Sequence, residues 1–188
     1  MKTELRRPTS TIFCLALAVA LSVAVGGARA ADFAACVGDV ADRYTAAKTE
    51  YQRGLHDLIV QRRPALAPLA RVNRDLQILF AEARRARMGY LIAQDPGRID
   101  LSGGLSRFSN FNWTAADKAA LAGTSSAYRD IEARLSALQE QNNGHPDWPD
   151  LRALFAGELG RSEEHKALLA RFQAEQAEVE AAMAQCRR

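Results

Sequence analysis

From Phe33 the apolar positions fall at Phe33, Val37, Val40, Tyr44, Ala47, Tyr51, Leu55 and Leu58. Steps of three and four gather them into one stripe of an α-helix, whereas a strand would scatter them over both faces. This first helix is predicted to end near Arg62, ahead of Pro64 and Pro68. A second stripe, Leu69, Val72, Leu76, Leu79, Ala83, Ala86 and Tyr90, stops before Asp95-Pro96-Gly97, because the residue preceding a proline is pushed out of the helical region. Thr114 is predicted to cap a third helix, with Asp117 in the reciprocal position of a capping box. Leu121, Thr124, Tyr128, Ile131, Leu135 and Leu138 carry that helix to Asn142-Asn143-Gly144. A fourth segment opens at Asp147 or Trp148 with Pro149 in its first turn. It runs through Leu151, Phe155, Leu159, Leu169, Phe172, Val179 and Met183 to Cys186. Gly157 and Gly160, with Ser162, predict a split of this segment into a short helix and a long one.

Four amphipathic segments on short connections predict an all-α fold, an up-down-up-down four-helix bundle. The competing arrangement is an elongated helical hairpin or a coiled-coil homodimer, which near-heptad stripes also suit. Composition supports helices: beyond residue 30 there are 30 Ala against 14 Val, Ile and Thr together.

The first 30 residues follow a different rule. Residues 1–10 are basic, 12–25 are apolar or small with one Ser, and Ala28-Arg29-Ala30 places small residues at both positions a signal peptidase reads. These are the three parts of a secretory signal peptide, leaving one domain at 31–188. The apolar run is shorter than the roughly 18 residues that span a bilayer, so cleavage after Ala30 is expected and no membrane span remains. Pro8-Thr9-Ser10 after Arg6-Arg7 favours the general secretory route over the twin-arginine route. The expected destination is the bacterial periplasm or the exterior.

Removing this leader changes the charge. The chain carries +3, and the leader, with Lys2, Arg6, Arg7 and Arg29 against Glu4, accounts for all of it. A neutral domain gives no electrostatic reason to bind nucleic acid or an anionic membrane surface. The leader also takes Cys14, leaving Cys36 and Cys186. An even count in an oxidising compartment predicts a disulfide that ties both ends of the domain together at one pole.

Candidate chemistry is sparse. There is no Cys-x-x-Cys-His, His-x-x-x-His or Glu-x-x-His, so neither covalent haem nor a di-iron centre is expected, and no metal or cofactor is assigned. His56 and His165 fall at one level, His56 pointing outward and His165 inward toward a polar neighbour such as Asn73. Arg87, beside Arg84, Arg85 and Met88, lies near the apolar stripe, where it meets an acid or an anion. His165 and Arg87 are the candidate residues of the alternative reading, a bundle that binds a small molecule or metal. With no Gly-x-Ser-x-Gly and no phosphate-cradling loop, an enzyme is not expected.

The connection 95–113 holds Phe108, Phe111 and Trp113 among Gly97, Gly103 and Gly104. These aromatics either plug the open end of the bundle or present a surface to a partner. His145 and Trp148 form a second candidate surface at the opposite end. The sequence thus points to an exported, non-enzymatic helical protein that binds an unidentified protein partner, as a periplasmic accessory or chaperone-like protein.

Overall fold

The computed structural model describes residues 13–109 and 111–186, with side chains for 31–106, 108 and 111–186. The expected leader, 1–30, therefore lies outside the described residues over 1–12 and is described only as backbone beyond them. Among the described residues there are helices and no strand.

α1 (Phe13–Arg62) leads through a 3-10 turn, Pro64–Leu66, into α2 (Ala67–Gln94). The helix is continuous through Ala30 and stops at Arg62 as expected. Asp95 ends α2 in an extended conformation, with its carboxylate accepting the Gly97 N–H at 3.0 Å. The connection that follows is more ordered than the sequence suggested: it contains a 3-10 turn at Pro96–Arg98 and α3 (Gly104–Ser109).

α4 (Ala115–Thr124) begins at the predicted capping box, in which Thr114 and Asp117 each bond the other's backbone N–H. The predicted third helix then breaks. Ser125 is extended and its hydroxyl accepts the Tyr128 N–H at 3.1 Å, which starts α5 (Ser126–Asn143). Gly123-Thr124-Ser125-Ser126 supplies the cause, since Ser and Thr offer the backbone a local alternative to the helical bond. α6 (Trp148–Ala156), α7 (Glu158–Arg161) and α8 (Glu163–Gln185) complete the chain, split at Gly157 and Ser162.

α1 is the centre, with α2 packed on one side and α8 on the other. α5 packs on α2 and makes no substantial contact with α8. The long helices therefore follow the order α5–α2–α1–α8, α5 resting on α2 and α8 on α1, and the all-helical part of the expectation holds. Stripe width explains it. α5 fully buries only Tyr128 and Leu135, enough for one neighbour, whereas α1 buries Val37, Ala41, Leu55 and Ile59 on one flank and Val40 and Ala47 on another.

Three apolar clusters hold the helices together. One joins α1, α2 and α8 and is closed by Phe108 and Leu101 from the connection. A second joins the α1–α2 turn to α6, α7 and α8 through Leu55, Leu69, Leu154 and Leu159. A third lies between α2 and α4–α5 around Leu79, Leu121 and Tyr128. The Cys36–Cys186 disulfide, with Cα atoms 5.6 Å apart, ties the end of α8 to α1 beside the first cluster.

Candidate functional site

Arg87 lies where α2, α4 and α5 meet. Its Nε donates to the Tyr128 hydroxyl at 2.9 Å and an Nη donates to Glu132 at 2.7 Å, while the other Glu132 oxygen accepts Lys118 Nζ at 2.6 Å. The guanidinium also sits 5.8 Å from the Trp113 ring and 5.9 Å from the Tyr128 ring. Burial works against the Arg87 charge, but the bonds to Glu132 and Tyr128 outweigh it and raise its pKa. Burial likewise opposes ionisation of Glu132, and the bonds from Lys118, Tyr128 and Arg87 overcome it, pulling its pKa down to about 2. Arg87 is thus the acid-paired arginine of the sequence alternatives. Its Nε and one Nη donate within the fold, and these bonds clamp α5 to α2.

The start of α4 is pinned in a similar way. Arg98 grips Asp117 with two bonds, 2.8 and 2.7 Å, and Asp117 also accepts from the Thr114 N–H and hydroxyl. The Arg98 bond, followed by those from Thr114, holds the Asp117 carboxyl far below the usual carboxylate range.

Between these two grips runs the aromatic connection, and its three rings part company. Phe108 is 2 % exposed, edge-on to Tyr44 at 6.2 Å, and closes the first cluster. As it sits, no partner reaches it. Trp113 is half-buried, surrounded edge-to-face by Tyr90 at 5.8 Å, Phe111 at 6.5 Å and Tyr128 at 6.4 Å. Its indole N–H is buried and has no partner among the described residues. Phe111 is half-exposed at the edge of this group. The plug alternative therefore describes Phe108, and no single platform carries all three aromatics.

The other candidates are also engaged locally. Trp148 is half-buried and its indole N–H donates to the Asn142 carbonyl, while His145 Nδ1 accepts the Asp147 N–H at 3.3 Å. His165 opens α8, where Ser162 caps its N–H at 3.2 Å, and its ring meets Phe155 edge-on at 5.9 Å rather than hydrogen-bonding Asn73. His165 thus belongs with α6–α8 and Arg87 with α2–α5. The structure does not bring these two predicted ligand residues together, because α5 packs on the flank of α2 away from α8. Among the described residues no group of three His, Cys, Asp or Glu is placed to hold a metal, and no helix is long and apolar enough to cross a membrane.

What the sequence reasoning missed is a groove. Between α1, α2 and α5 lies an open trough of about 1160 Å³, walled by Gly38, Thr45 and Thr49 of α1, Ala86 and Gly89 of α2, and Ile131 of α5. The Asp42–Arg85 ion pair joins α1 to α2 along it. On α1 it extends from Gly38 to Arg53, about 22 Å at the helical rise. A Cβ added at Gly38 or Gly89 would meet nothing within 4 Å. The sequence signal was the small residues at Gly38, Ala41, Thr45 and Thr49 beside the main apolar stripe. No protein-family model, curated protein or solved structure matches this chain.

Proposed function

We infer that this is an exported, non-catalytic helical protein that acts by binding another protein, and that the α1–α2–α5 trough is its binding surface. The observation that carries this is the uncovered groove with two helix-interior glycines in its walls. Glycine inside a helix costs about 0.5–1 kcal/mol relative to alanine, and among the described residues nothing occupies the space that Gly38 and Gly89 leave open. Such a cost is offset when a second helix approaches closely. A length of about 22 Å accommodates roughly four helical turns, the scale of helix-in-groove recognition. A helix laid there would convert the open α1–α2–α5 side into a four-helix arrangement.

Export rests on the leader read from residues 1–30 and on the Cys36–Cys186 disulfide, a bond that persists in oxidising compartments. The test places a photoreactive side chain at Gly89 and, in a second protein, at exposed Ala170 on the outer face of α8. Irradiation in the native compartment is expected to give a discrete protein adduct from position 89 and none from 170. Adducts at both positions alike, or at neither, refute the assignment of the groove.

A further inference from the structure

The trough between α1, α2 and α5 has a register, and the Asp42–Arg85 ion pair across it fixes that register. α1 and α2 run in opposite directions, joined by the short turn at Pro64–Leu66. Gly38 stands four residues before Asp42 and Gly89 four after Arg85, so both glycines lie at one level, about 6 Å along the axis from the pair. Glu82, three residues before Arg85, lies about 4.5 Å to the other side of it. Arg53, eleven residues after Asp42, lies about 16 Å from the pair in that same direction.

The charges along these walls differ in what already holds them. Asp42 and Arg85 hold each other, and Glu50 pairs with Arg171 of α8 at 3.1 Å. Glu82 and Arg53 are exposed and form neither an ion pair nor a hydrogen bond among the described residues. The trough therefore presents, in order, a bare patch at the two glycines, a neutralised pair, an acid and a base.

Direction follows from the neighbouring helices. α5 starts beside the end of α2, where Tyr128 meets Arg87, and so runs against α2 and alongside α1. The trough thus lies between two helices whose dipoles point the same way. A helix seated there is favoured when it runs against both, because each of its ends then meets ends of opposite partial charge.

Resting on the groove reading above, we propose that the partner element is a helix antiparallel to α1 and α5 with a set order of groove-facing residues. An acid near its N-terminal end faces Arg53, a base about eight residues on faces Glu82, and a large apolar side chain about seven residues further covers Gly38 and Gly89. These intervals keep all three on one face, since two helical turns take about 7.2 residues. An acid in the first turn also suits that helix's own dipole. The large side chain fills space that a Cβ on Gly38 or Gly89 would narrow.

Photoreactive side chains at Gly89 and, in a second protein, at Thr49 report the direction, because Thr49 lies eleven residues from the glycine level, about 16 Å along the trough. Adducts made in the native compartment are digested, and the linked residues are read by mass spectrometry. Both are expected in one helical segment of one partner, the residue linked from Thr49 about eleven positions N-terminal to that linked from Gly89. Arg53→Glu and Glu82→Lys are each expected to lower the adduct yield from Gly89 about threefold or more, as a rim attraction becomes a like-charge repulsion. The reverse order, or links in unrelated segments, overturns the proposal while leaving the groove as the binding surface. Yields that neither substitution changes do the same. No adduct at all from Gly89 refutes the groove itself, and the orientation with it.

Discussion

Replacing Glu132 by Gln removes the charge that Arg87 and Lys118 share while keeping an oxygen for them to donate to. In the folded chain burial opposes ionisation of Glu132, and the bonds from Lys118, Tyr128 and Arg87 more than offset it, so the carboxyl titrates at about 2 instead of 4.5. A difference of that size between folded and unfolded states corresponds to about 3 kcal/mol before screening. The Glu132 side chain is 20 % exposed, and solvent screening lowers the usable part to about 1–2 kcal/mol. Because the folded pKa is depressed, this stability is present above the unfolded value of 4.5 and drains away as pH falls toward 2. Urea unfolding of wild type and Glu132→Gln at pH 7 and pH 2.5 measures it. The variant is expected to be less stable by about 1–2 kcal/mol at pH 7, with the deficit shrinking by about three-quarters at pH 2.5. Other carboxylates titrate in both proteins and cancel in the difference. An equal deficit at the two pH values would mean that the ion pair does not hold α5 to α2 by charge.

Three further outcomes follow from the packing. Changing Cys36 and Cys186 to Ser opens a loop of 150 residues and is expected to cost about 4–5 kcal/mol in urea unfolding, the same loss produced in wild type by reductant; a cost below about 1 kcal/mol would remove the staple from the stability of the fold. Gly89→Ala, with open space over its Cβ, is expected to gain about 0.5–1 kcal/mol, while Gly54→Ala meets Leu168 Cδ1 at 2.8 Å and gains nothing or loses stability. Equal gains at both sites, read from thermal midpoints, would show that α8 is not seated against α1 at Gly54. Phe108→Ala, at 2 % exposure, is expected to cost about 3–5 kcal/mol, and the half-exposed Phe111→Ala less than half of that; matching costs would contradict the division between a buried plug and a half-exposed edge.

Helix ends were legible wherever a side chain or proline imposes them locally. Arg62 before Pro64, Asp95 before Pro96, the Thr114–Asp117 box and the break at Gly157 all depend on residues within a turn of the boundary. The disulfide was legible because only Cys36 and Cys186 lie beyond the expected leader. The stop at Ser125 was missed because Leu121, Tyr128, Leu135 and Leu138 keep helical spacing across it, so periodicity carried on where the backbone did not. Partner choice among helices was not legible either. The α5 stripe records that one neighbour exists, but that α2 is that neighbour depends on Arg87 meeting Glu132, a pairing 45 residues apart in the chain. For the same reason Arg87 and His165 looked available for a common ligand.

The groove is tested most directly by its accessibility in the protein alone. Gly89→Cys, in a chain that starts at residue 31 and so lacks Cys14, with its Cys36–Cys186 disulfide intact, presents one thiol in the trough wall, and its rate of reaction with a bulky thiol reagent reports whether anything covers it. An uncovered trough predicts labelling of the isolated protein at close to the rate of an exposed control such as Ala170→Cys, and strong protection once the captured partner is added back. Slow labelling of the isolated protein would mean that the chain fills its own groove, and the assignment of that surface to a partner would be wrong.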